Sequence, residues 1–256
     1  KRKQLSGFYG SWGKEFFGGY EVKRLEKCWS EFFKIPYSIS VNSATSGLYA
    51  ALAAIGISPG DEVIVPPFTM SATVMGPLLY GGIPVFVDID PNTFCLDTDL
   101  VEKAITKKTK AIIAVNLFGH PAKLDVLKKI CEKNNLKLIE DNAQAPLAKI
   151  NGQFAGTIGD IGIFSLNYHK HIHCGEGGIC VTRDKKLALR LQAIRNHGEN
   201  IVEPKNISPV NMIGFNYRMT EMSAAVAYTQ LRKIRREVSK RKKLAEFLSD
   251  GIKDLE

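Results

Sequence analysis

The run Ala111-Ile112-Ile113-Ala114-Val115 is the stretch that best defines the fold. Five consecutive apolar residues are typical of a strand buried on both faces, as in a parallel sheet covered by helices on both sides. Similar β-rich runs lie before and after it and alternate with helical patterns. The strands are predicted at 38–41, 62–65, 84–87, 111–115, 137–140, 159–164 and 179–182. The helices are predicted at 48–55, 72–80, 100–105, 124–134 and 185–195.

This alternation predicts an α/β protein with three αβα layers, in which a mostly parallel sheet lies between helices on both faces. The chain has 256 residues, of which 45% are hydrophobic and 24% charged. This composition is that of a globular protein with a sizeable core, not of a disordered chain. No repeat or low-complexity linker interrupts it, and we expect one large domain over residues 1–256.

Composition also restricts the cellular location. No apolar run reaches the roughly 20 residues that a membrane-spanning helix needs, and segment 1–7 lacks the apolar region of a signal peptide. The five cysteines are scattered and odd in number, which favours reduced thiols over a disulfide framework. We therefore expect a cytoplasmic protein that contacts no membrane.

The net charge of +9 is concentrated in the basic segment 232–243. Apolar residues recur at helical intervals through this region, so the basic residues are predicted to form the solvated face of an amphipathic helix. These apolar residues are Leu231, Ile234, Val238, Leu244 and Phe247. Since the chain carries no nucleic-acid-binding signature, we expect no nucleic-acid partner. A positive potential would instead steer an anionic substrate.

Lys170 lies between the apolar run Ile161-Gly-Ile-Phe164 and the glycine-rich Gly175-Glu-Gly-Gly178. A lysine held out of bulk water loses its ammonium charge more easily, and the neutral amine can then form a Schiff base with a carbonyl group. The sequence therefore predicts a nucleophilic lysine at this position. The alternative is a solvated loop lysine.

Asp141 follows the apolar run at 136–139, at the carboxyl end of a predicted strand. Open α/β sheets place their ligands at this end. A carboxylate beside a pyridine nitrogen favours the protonated ring, which then withdraws electrons from a carbanion. Asp141 is thus a candidate cofactor ligand, and the alternative is that it caps the following turn.

The segment Val41-Asn-Ser-Ala-Thr-Ser-Gly47 passes from a short strand through small polar residues into a helix. Small residues let backbone amides approach an anion, and the helix amino end adds partial positive charge. The hydroxyl groups of Thr45 and Ser46 can add further donors. The segment is a candidate phosphate site, and the alternative is an ordinary N-cap of a core helix.

The phosphate site, the carboxylate and the lysine, in this chain order, resemble pyridoxal-phosphate enzymes of the aspartate aminotransferase fold. The finer resemblance is to the DegT/StrS family of sugar aminotransferases, and it covers nearly the whole chain. Six segments carry it: Val65-Pro-Pro-Phe-Thr69, Pro84-Val-Phe-Val-Asp-Ile-Asp90, Asn116-Leu-Phe-Gly119, Ile139-Glu-Asp-Asn-Ala-Gln-Ala145, the lysine segment through Gly178, and Gly214-Phe-Asn-Tyr-Arg-Met-Thr220. Because family members continue into a smaller α/β domain, the resemblance also implies that this C-terminal small domain is missing.

The resemblance implies a role for each matching residue. Lys170 would bind pyridoxal 5′-phosphate covalently, with Asp141 at the pyridine nitrogen and Gln144 near the phenolic oxygen. Further phosphate ligands would be the hydroxyl groups of Ser165, Thr45 and Ser46.

The loop 214–220 matches a family segment that reaches across a dimer interface to the neighbour's cofactor. Asn216 or Arg218 would make this contact. The alternative is a simple helix start, because Thr220 followed by Glu221 suits an N-cap.

Met70 stands where relatives usually carry an aromatic residue stacked on the pyridine ring. Its polarizable sulfur can still cover a ring, so we retain Met70 as a cofactor contact beside the alternative of a core residue. The histidines at 169, 171 and 173 could share one face of an extended segment and bind zinc. Such tight spacing rarely gives tetrahedral geometry, and we expect no metal. His169 or His171 could instead act near the substrate.

The resemblance implies an enzyme that transfers an amino group from an amino acid, glutamate in this family, to a keto-sugar nucleotide. Such a reaction serves amino-sugar and polysaccharide biosynthesis, and the site would lie at a homodimer interface. A related branch uses histidine in place of the lysine and removes a sugar hydroxyl group; the presence of Lys170 favours amino transfer over this dehydration. A cofactor-binding protein without catalytic activity is the other alternative.

Overall fold

The structure is a computed structural model that describes residues 4–6, 13, 15–198 and 213–254. The helices of this part are α1 (Tyr20–Phe33), α2 (Ala44–Ile55), α3 (Ser71–Leu79), α4 (Thr98–Ala104), α5 (Leu124–Asn134), α6 (Lys185–Arg195), α7 (Glu221–Leu231) and α8 (Ile234–Ile252). The strands are β1 (Tyr37–Val41), β2 (Glu62–Val65), β3 (Ile83–Phe86), β4 (Thr109–Val115), β5 (Lys137–Asp141), β6 (Lys149–Ile150), β7 (Gln153–Phe154), β8 (Ile161–Ser165) and β9 (Gly178–Thr182). A short 3₁₀ turn occupies Leu117–Gly119.

Seven strands form one sheet in the order β1-β9-β8-β5-β4-β2-β3. The neighbours from β8 to β3 are parallel, whereas β9 runs antiparallel to both β8 and β1. The remaining strands, β6 and β7, form a small hairpin. The prediction of a mostly parallel sheet is therefore confirmed.

Helices cover both faces of this sheet. Consecutive side chains of each strand point to opposite sides, so each strand contributes side chains to the core on either face. Ala111 and Ile113 of β4 belong to the core cluster that contains α2, α3 and α6. Ile112 and Ala114 belong to the cluster on the other face, with α4 and α5. On that second face Phe164 of β8 packs with α1 and α7. The three-layer αβα prediction is confirmed.

Helix α2 begins at Ala44, four residues before the predicted start at 48. The Ser43 side chain accepts a hydrogen bond from the Ser46 backbone N–H at 3.0 Å, so the small polar residues form a capped first turn and not a loop. The prediction of Thr220 as an N-cap is confirmed, since its side chain accepts from the Ser223 N–H. Helices α1 and α7 were not predicted.

The basic segment forms α8, but its predicted apolar face is only partly buried. Ile234 is buried, whereas Leu244 is 67% and Phe247 80% exposed. The predicted helix is therefore present with its basic residues exposed, but the apolar residues of its second half are exposed as well. None of the described helices combines the length and the apolar character needed to cross a membrane.

Glu140 on β5 is fully buried and connects this strand to the segment before β8. Its carboxylate accepts backbone N–H groups from Gly156, Ile158 and Gly159 at 2.5, 2.7 and 2.6 Å. Asn116 adds a side-chain donor at 3.4 Å. Burial raises the pKa of Glu140 and these hydrogen bonds oppose that rise, so the carboxylate fixes the loop that leads into β8.

We expect Glu140→Gln to lower the free energy of unfolding by about 1–3 kcal/mol, because its amide NH₂ would face backbone N–H donors. Urea denaturation measures this change. Glu102→Gln is the matched control, since Glu102 pairs with Lys133 at the surface and should contribute less than about 1 kcal/mol. An equal loss in both variants would contradict the role assigned to Glu140.

Candidate active site

Four strand ends meet at one edge of the sheet. Asp141 ends β5 beside the parallel strand β8, which itself ends at Ser165. Ser165 pairs with Gly178, the first residue of the antiparallel strand β9, and Gly178 also pairs with Val41 at the end of β1. The register therefore brings the carboxylate, the serine and the start of α2 to the same edge, where open α/β sheets bind ligands.

A cavity at this edge encloses about 690 Å³ of empty space, open solvent included. Six of the residues predicted from the sequence line it: Thr45, Met70, Asp141, Gln144, Ser165 and Lys170. These residues come from four separate segments of the chain, and the fold brings them together.

Three predicted residues, Ser46, Asn216 and Arg218, are not among the described residues that line the cavity. The buried Ser46 hydroxyl donates to the Oδ1 atom of Asn42 at 2.6 Å, so it belongs to the α2 cap. The Asn216 carbonyl accepts a hydrogen bond from Asn42 Nδ2 at 3.1 Å. A contact of Asn216 or Arg218 with a neighbouring subunit's cofactor stays a prediction.

The amino end of α2 forms one wall of the cavity through Ser43, Ala44 and Thr45. The first amides of a helix lack acceptors within the helix, and the helix end carries partial positive charge. Opposite, the Asn167 N–H donates to the Ser165 Oγ at 3.3 Å. Since that oxygen already accepts one hydrogen bond, its hydroxyl hydrogen can be donated to an anion. This wall suits a phosphate group.

The glycine-rich turn lets β9 approach the start of α2. A Cβ atom on Gly178 would lie 2.7 Å from backbone atoms of Ser43 and Ala44. A Cβ atom on Gly177 would lie 2.6 Å from the Sγ atom of Cys174. A larger residue at Gly178 would therefore push β9 away from the start of α2.

The Asp141 carboxylate is buried and held by two donors. It accepts from the Thr73 hydroxyl at 3.0 Å and from the Ala143 N–H at 3.2 Å. Burial raises the pKa of Asp141, whereas these hydrogen bonds and the Lys170 ammonium oppose the rise. Such an oriented carboxylate can stabilise a protonated ring nitrogen.

Thr73 is a residue that the sequence did not single out. It is fully buried, and because its hydrogen goes to Asp141, the Thr69 hydroxyl donates to the Thr73 oxygen at 2.8 Å. Two threonines four residues apart are an unremarkable sequence signal. Their role becomes visible only when α3 is placed against the end of β5.

Lys170 is half-buried at the cavity wall. Burial lowers the pKa of its ammonium group, and the Asp141 carboxylate opposes this shift. The backbone is held as well, since the Lys170 N–H donates to the Asn167 carbonyl at 3.0 Å and its carbonyl accepts from Arg241 at 3.5 Å. The amine is therefore more often neutral than that of a solvated lysine, as a nucleophile requires.

Gln144 and Met70 complete the lining. The Gln144 Oε1 atom accepts from the Phe118 N–H at 3.1 Å, which leaves its NH₂ group to donate to a ligand. Met70 is 62% exposed, and its sulfur accepts from the Ala72 N–H. The alternative of Met70 as a core residue is therefore wrong.

The three histidines do not converge. His169 lines the cavity, whereas His171 lines a separate cavity against residues of α8 such as Arg241. Within the described ranges, no group of three or more His, Cys, Asp or Glu side chains is arranged to hold a metal ion.

A family model, described as the DegT/DnrJ/EryC1/StrS aminotransferase family, matches residues 11–256. The chain belongs to this family. The resemblance inferred from six sequence segments is thereby confirmed.

Relatives in this family carry several names. The GDP-perosamine synthase of Caulobacter vibrioides is 37% identical over 234 residues, which are 91% of this chain and 62% of the relative. The UDP-N-acetyl-3-dehydro-α-D-glucosamine 3-aminotransferase of Acidithiobacillus ferrooxidans is 40% identical over 212 residues, which are 82% of this chain and 56% of the relative. The chain thus spans less than two thirds of the length of these relatives.

A solved structure with the same fold is the Escherichia coli GDP-4-keto-6-deoxy-D-mannose-3-dehydratase with bound hydrated pyridoxal phosphate. Its TM-score is 0.84 at 34% sequence identity, and the match covers 93% of this chain and 66% of that chain. The fold identified in the sheet topology is therefore that of this family.

We expect the rate of reductive methylation of Lys170 to rise with pH and then reach a plateau. In the folded chain this plateau should be reached at a lower pH than in urea. The neutral amine is the reactive form, and burial lowers its pKa. Asp141→Asn should move the profile to still lower pH, because the carboxylate is what opposes the shift. Peptide mass spectrometry measures the modification, and coincident folded and unfolded profiles would contradict this reasoning.

We expect Thr73→Val to weaken pyridoxal phosphate binding by about tenfold, since Asp141 would lose a donor and Thr69 an acceptor. Fluorescence titration of the cofactor measures the affinity. Thr73→Ser keeps the hydroxyl group and should stay within about threefold of the wild type. Equal losses in both variants would assign the effect to packing alone.

Proposed function

We propose that this chain binds pyridoxal 5′-phosphate and belongs to an enzyme that transfers an amino group from an amino acid to a keto-sugar nucleotide. The observation that carries this proposal is the convergence of the Lys170 amine, the Asp141 carboxylate and the start of α2 on one cavity. These groups match the aldehyde, the ring nitrogen and the phosphate of a single molecule. The dehydratase of the same fold, solved with this cofactor, supports the assignment.

The groups that line the cavity fit this cofactor in their chemistry as well as in their position. When bound, pyridoxal phosphate supplies an electron sink that stabilises a carbanion at the substrate carbon. Asp141 would keep the ring nitrogen protonated, and the Gln144 NH₂ group would donate to the phenolic oxygen. Ser165 and the amides of α2 would hold the phosphate, with Met70 against the ring.

Lys170 has two roles in the proposed reaction. Its amine would hold the cofactor covalently, and the same amine, when free, would remove the proton from the α-carbon of the amino donor. The resulting ammonium group would return a proton to complete the transfer. The lowered pKa of Lys170 supports both roles, because each requires the neutral amine.

The substrate class rests on the relatives and on charge. The two named relatives carry GDP and UDP sugars in their names, and one is an aminotransferase of a 3-dehydro sugar. The net charge of +9 would steer such an anionic nucleotide sugar toward the site. Glutamate as the donor follows from the family resemblance.

Exposed apolar side chains support a homodimer. Met75 and Leu78 on α3, and Ile83 and Phe86 on β3, are each about half exposed at an edge of the sheet. An unpaired edge strand with apolar residues favours contact with another chain. In such a dimer, Asn216 or Arg218 would reach toward the neighbour's cofactor. All five cysteines are free thiols, which supports a cytoplasmic location.

Dehydration of the sugar is the second candidate, because the solved dehydratase shares the fold. The presence of Lys170 favours amino transfer. The two reactions differ in their products, since only amino transfer adds nitrogen to the sugar.

We expect Lys170→Ala to lose the visible absorption of lysine-bound pyridoxal phosphate and to reduce turnover by at least about 10²-fold. Borohydride reduction followed by peptide mass spectrometry should place the cofactor on Lys170 in the wild type. Lys149→Ala, which removes an exposed lysine, is the control and should keep the bound cofactor.

A set of keto-sugar nucleotides incubated with glutamate, with products read by mass spectrometry, tests the reaction itself. A sugar that gains nitrogen supports amino transfer, and one that loses a hydroxyl group without gaining nitrogen supports the dehydratase. Attachment of the cofactor to another lysine would contradict the assigned site.

A further inference from the structure

Asn167 makes four hydrogen bonds around the turn that carries Lys170. Its backbone N–H donates to the Ser165 Oγ at 3.3 Å, and its carbonyl accepts the Lys170 N–H at 3.0 Å. Its side-chain Oδ1 atom accepts the His169 N–H at 3.4 Å, while Nδ2 donates to the Glu176 Oε1 at 2.8 Å. One side chain therefore connects the lysine turn to the glycine-rich turn.

The lysine turn has little apolar packing of its own at its tip. Tyr168 is 69% exposed and His169 is also exposed. The conformation of the turn must therefore depend on polar contacts, and the charged acceptor Glu176 makes the Asn167 contact a strong one. Asn167 and Glu176 both line the cofactor cavity.

We propose that Asn167 is a positioning residue whose side-chain bond to Glu176 holds the Lys170 amine in the cavity at the distance that cofactor attachment requires. It acts through Lys170 and does not take part in the chemistry. The same residue orients the Ser165 hydroxyl, because its N–H occupies a lone pair of that oxygen. Asn167 thus positions both the Lys170 amine and the Ser165 hydroxyl group. This inference rests on the function proposed above.

The atoms involved allow a selective test. Asn167→Asp keeps an Oδ1 acceptor for the His169 N–H but replaces the donor that faces Glu176 with a carboxylate oxygen, which the Glu176 carboxylate repels. Glu176→Gln keeps an Oε1 acceptor for Asn167. In the double variant, the Gln NH₂ group can donate to the new carboxylate, so the bond is restored with its direction reversed.

Two measurements report on position separately from turnover. The first is the rate at which pyridoxal phosphate becomes attached to Lys170, followed by borohydride trapping and mass spectrometry. The second is amide hydrogen exchange in the peptide 165–178, measured without cofactor. Asn167→Asp should slow attachment about tenfold and increase exchange in this peptide. Glu176→Gln keeps the acceptor but loses its charge, so it should slow attachment less than Asn167→Asp does, and the double variant should attach the cofactor faster than Asn167→Asp.

Asn92→Asp is the matched control, because Asn92 also donates its side-chain amide to a carboxylate, that of Asp90, but does not line the cavity. It should leave attachment and exchange in 165–178 unchanged. Normal attachment and exchange in Asn167→Asp would overturn the inference, and so would a double variant as defective as the single one. If the wild type attaches no cofactor, the proposed function fails, and the exchange measurements alone then decide whether Asn167 holds the turn.

Discussion

Two consecutive buried carboxylates at the end of β5 are the constraint on which the site depends. Glu140 is fully buried and Asp141 is 7% exposed, and each would destabilise the fold if left without donors. Because neighbouring strand residues point to opposite faces, Glu140 binds the loop before β8 while Asp141 faces the cavity. One strand end thus fixes both the loop into the neighbouring strand and the carboxylate that is proposed to bind the cofactor.

The electrostatics of the cavity are balanced between a buried acid and a half-buried base. Burial raises the pKa of Asp141 and lowers that of Lys170, so desolvation acts toward the neutral form of both groups. Their mutual attraction, and the Thr73 hydroxyl, act toward the charged forms. The lowered pKa of Lys170 favours the neutral, nucleophilic amine, and in the proposed function the oriented Asp141 carboxylate would face a positively charged ring nitrogen.

The sequence predicted most strands and singled out Lys170 and Asp141, which line the cavity, because apolar runs and the residues that end them are local signals. It could not decide which hydroxyl of the segment Thr45–Ser46 faces the cavity, since that depends on the rotation of α2. Thr73 was missed because its partner Asp141 lies 68 residues away in sequence. The exposure of Leu244 and Phe247 on α8 could not be foreseen, because periodicity shows where an apolar face is but not whether anything packs against it.

The spacing between the lysine turn and the phosphate wall is set by backbone contacts more than by side chains. The Leu166 N–H donates to the Gly177 carbonyl at 2.9 Å, and the Cys174 N–H donates to the Leu166 carbonyl at 3.0 Å. Gly178 then lies against the backbone of Ser43 too closely for any Cβ atom. Because these contacts link β8, the glycine-rich turn and α2, the groups proposed for the two ends of the cofactor are held at a fixed separation. Such preorganisation would lower the entropic cost of binding.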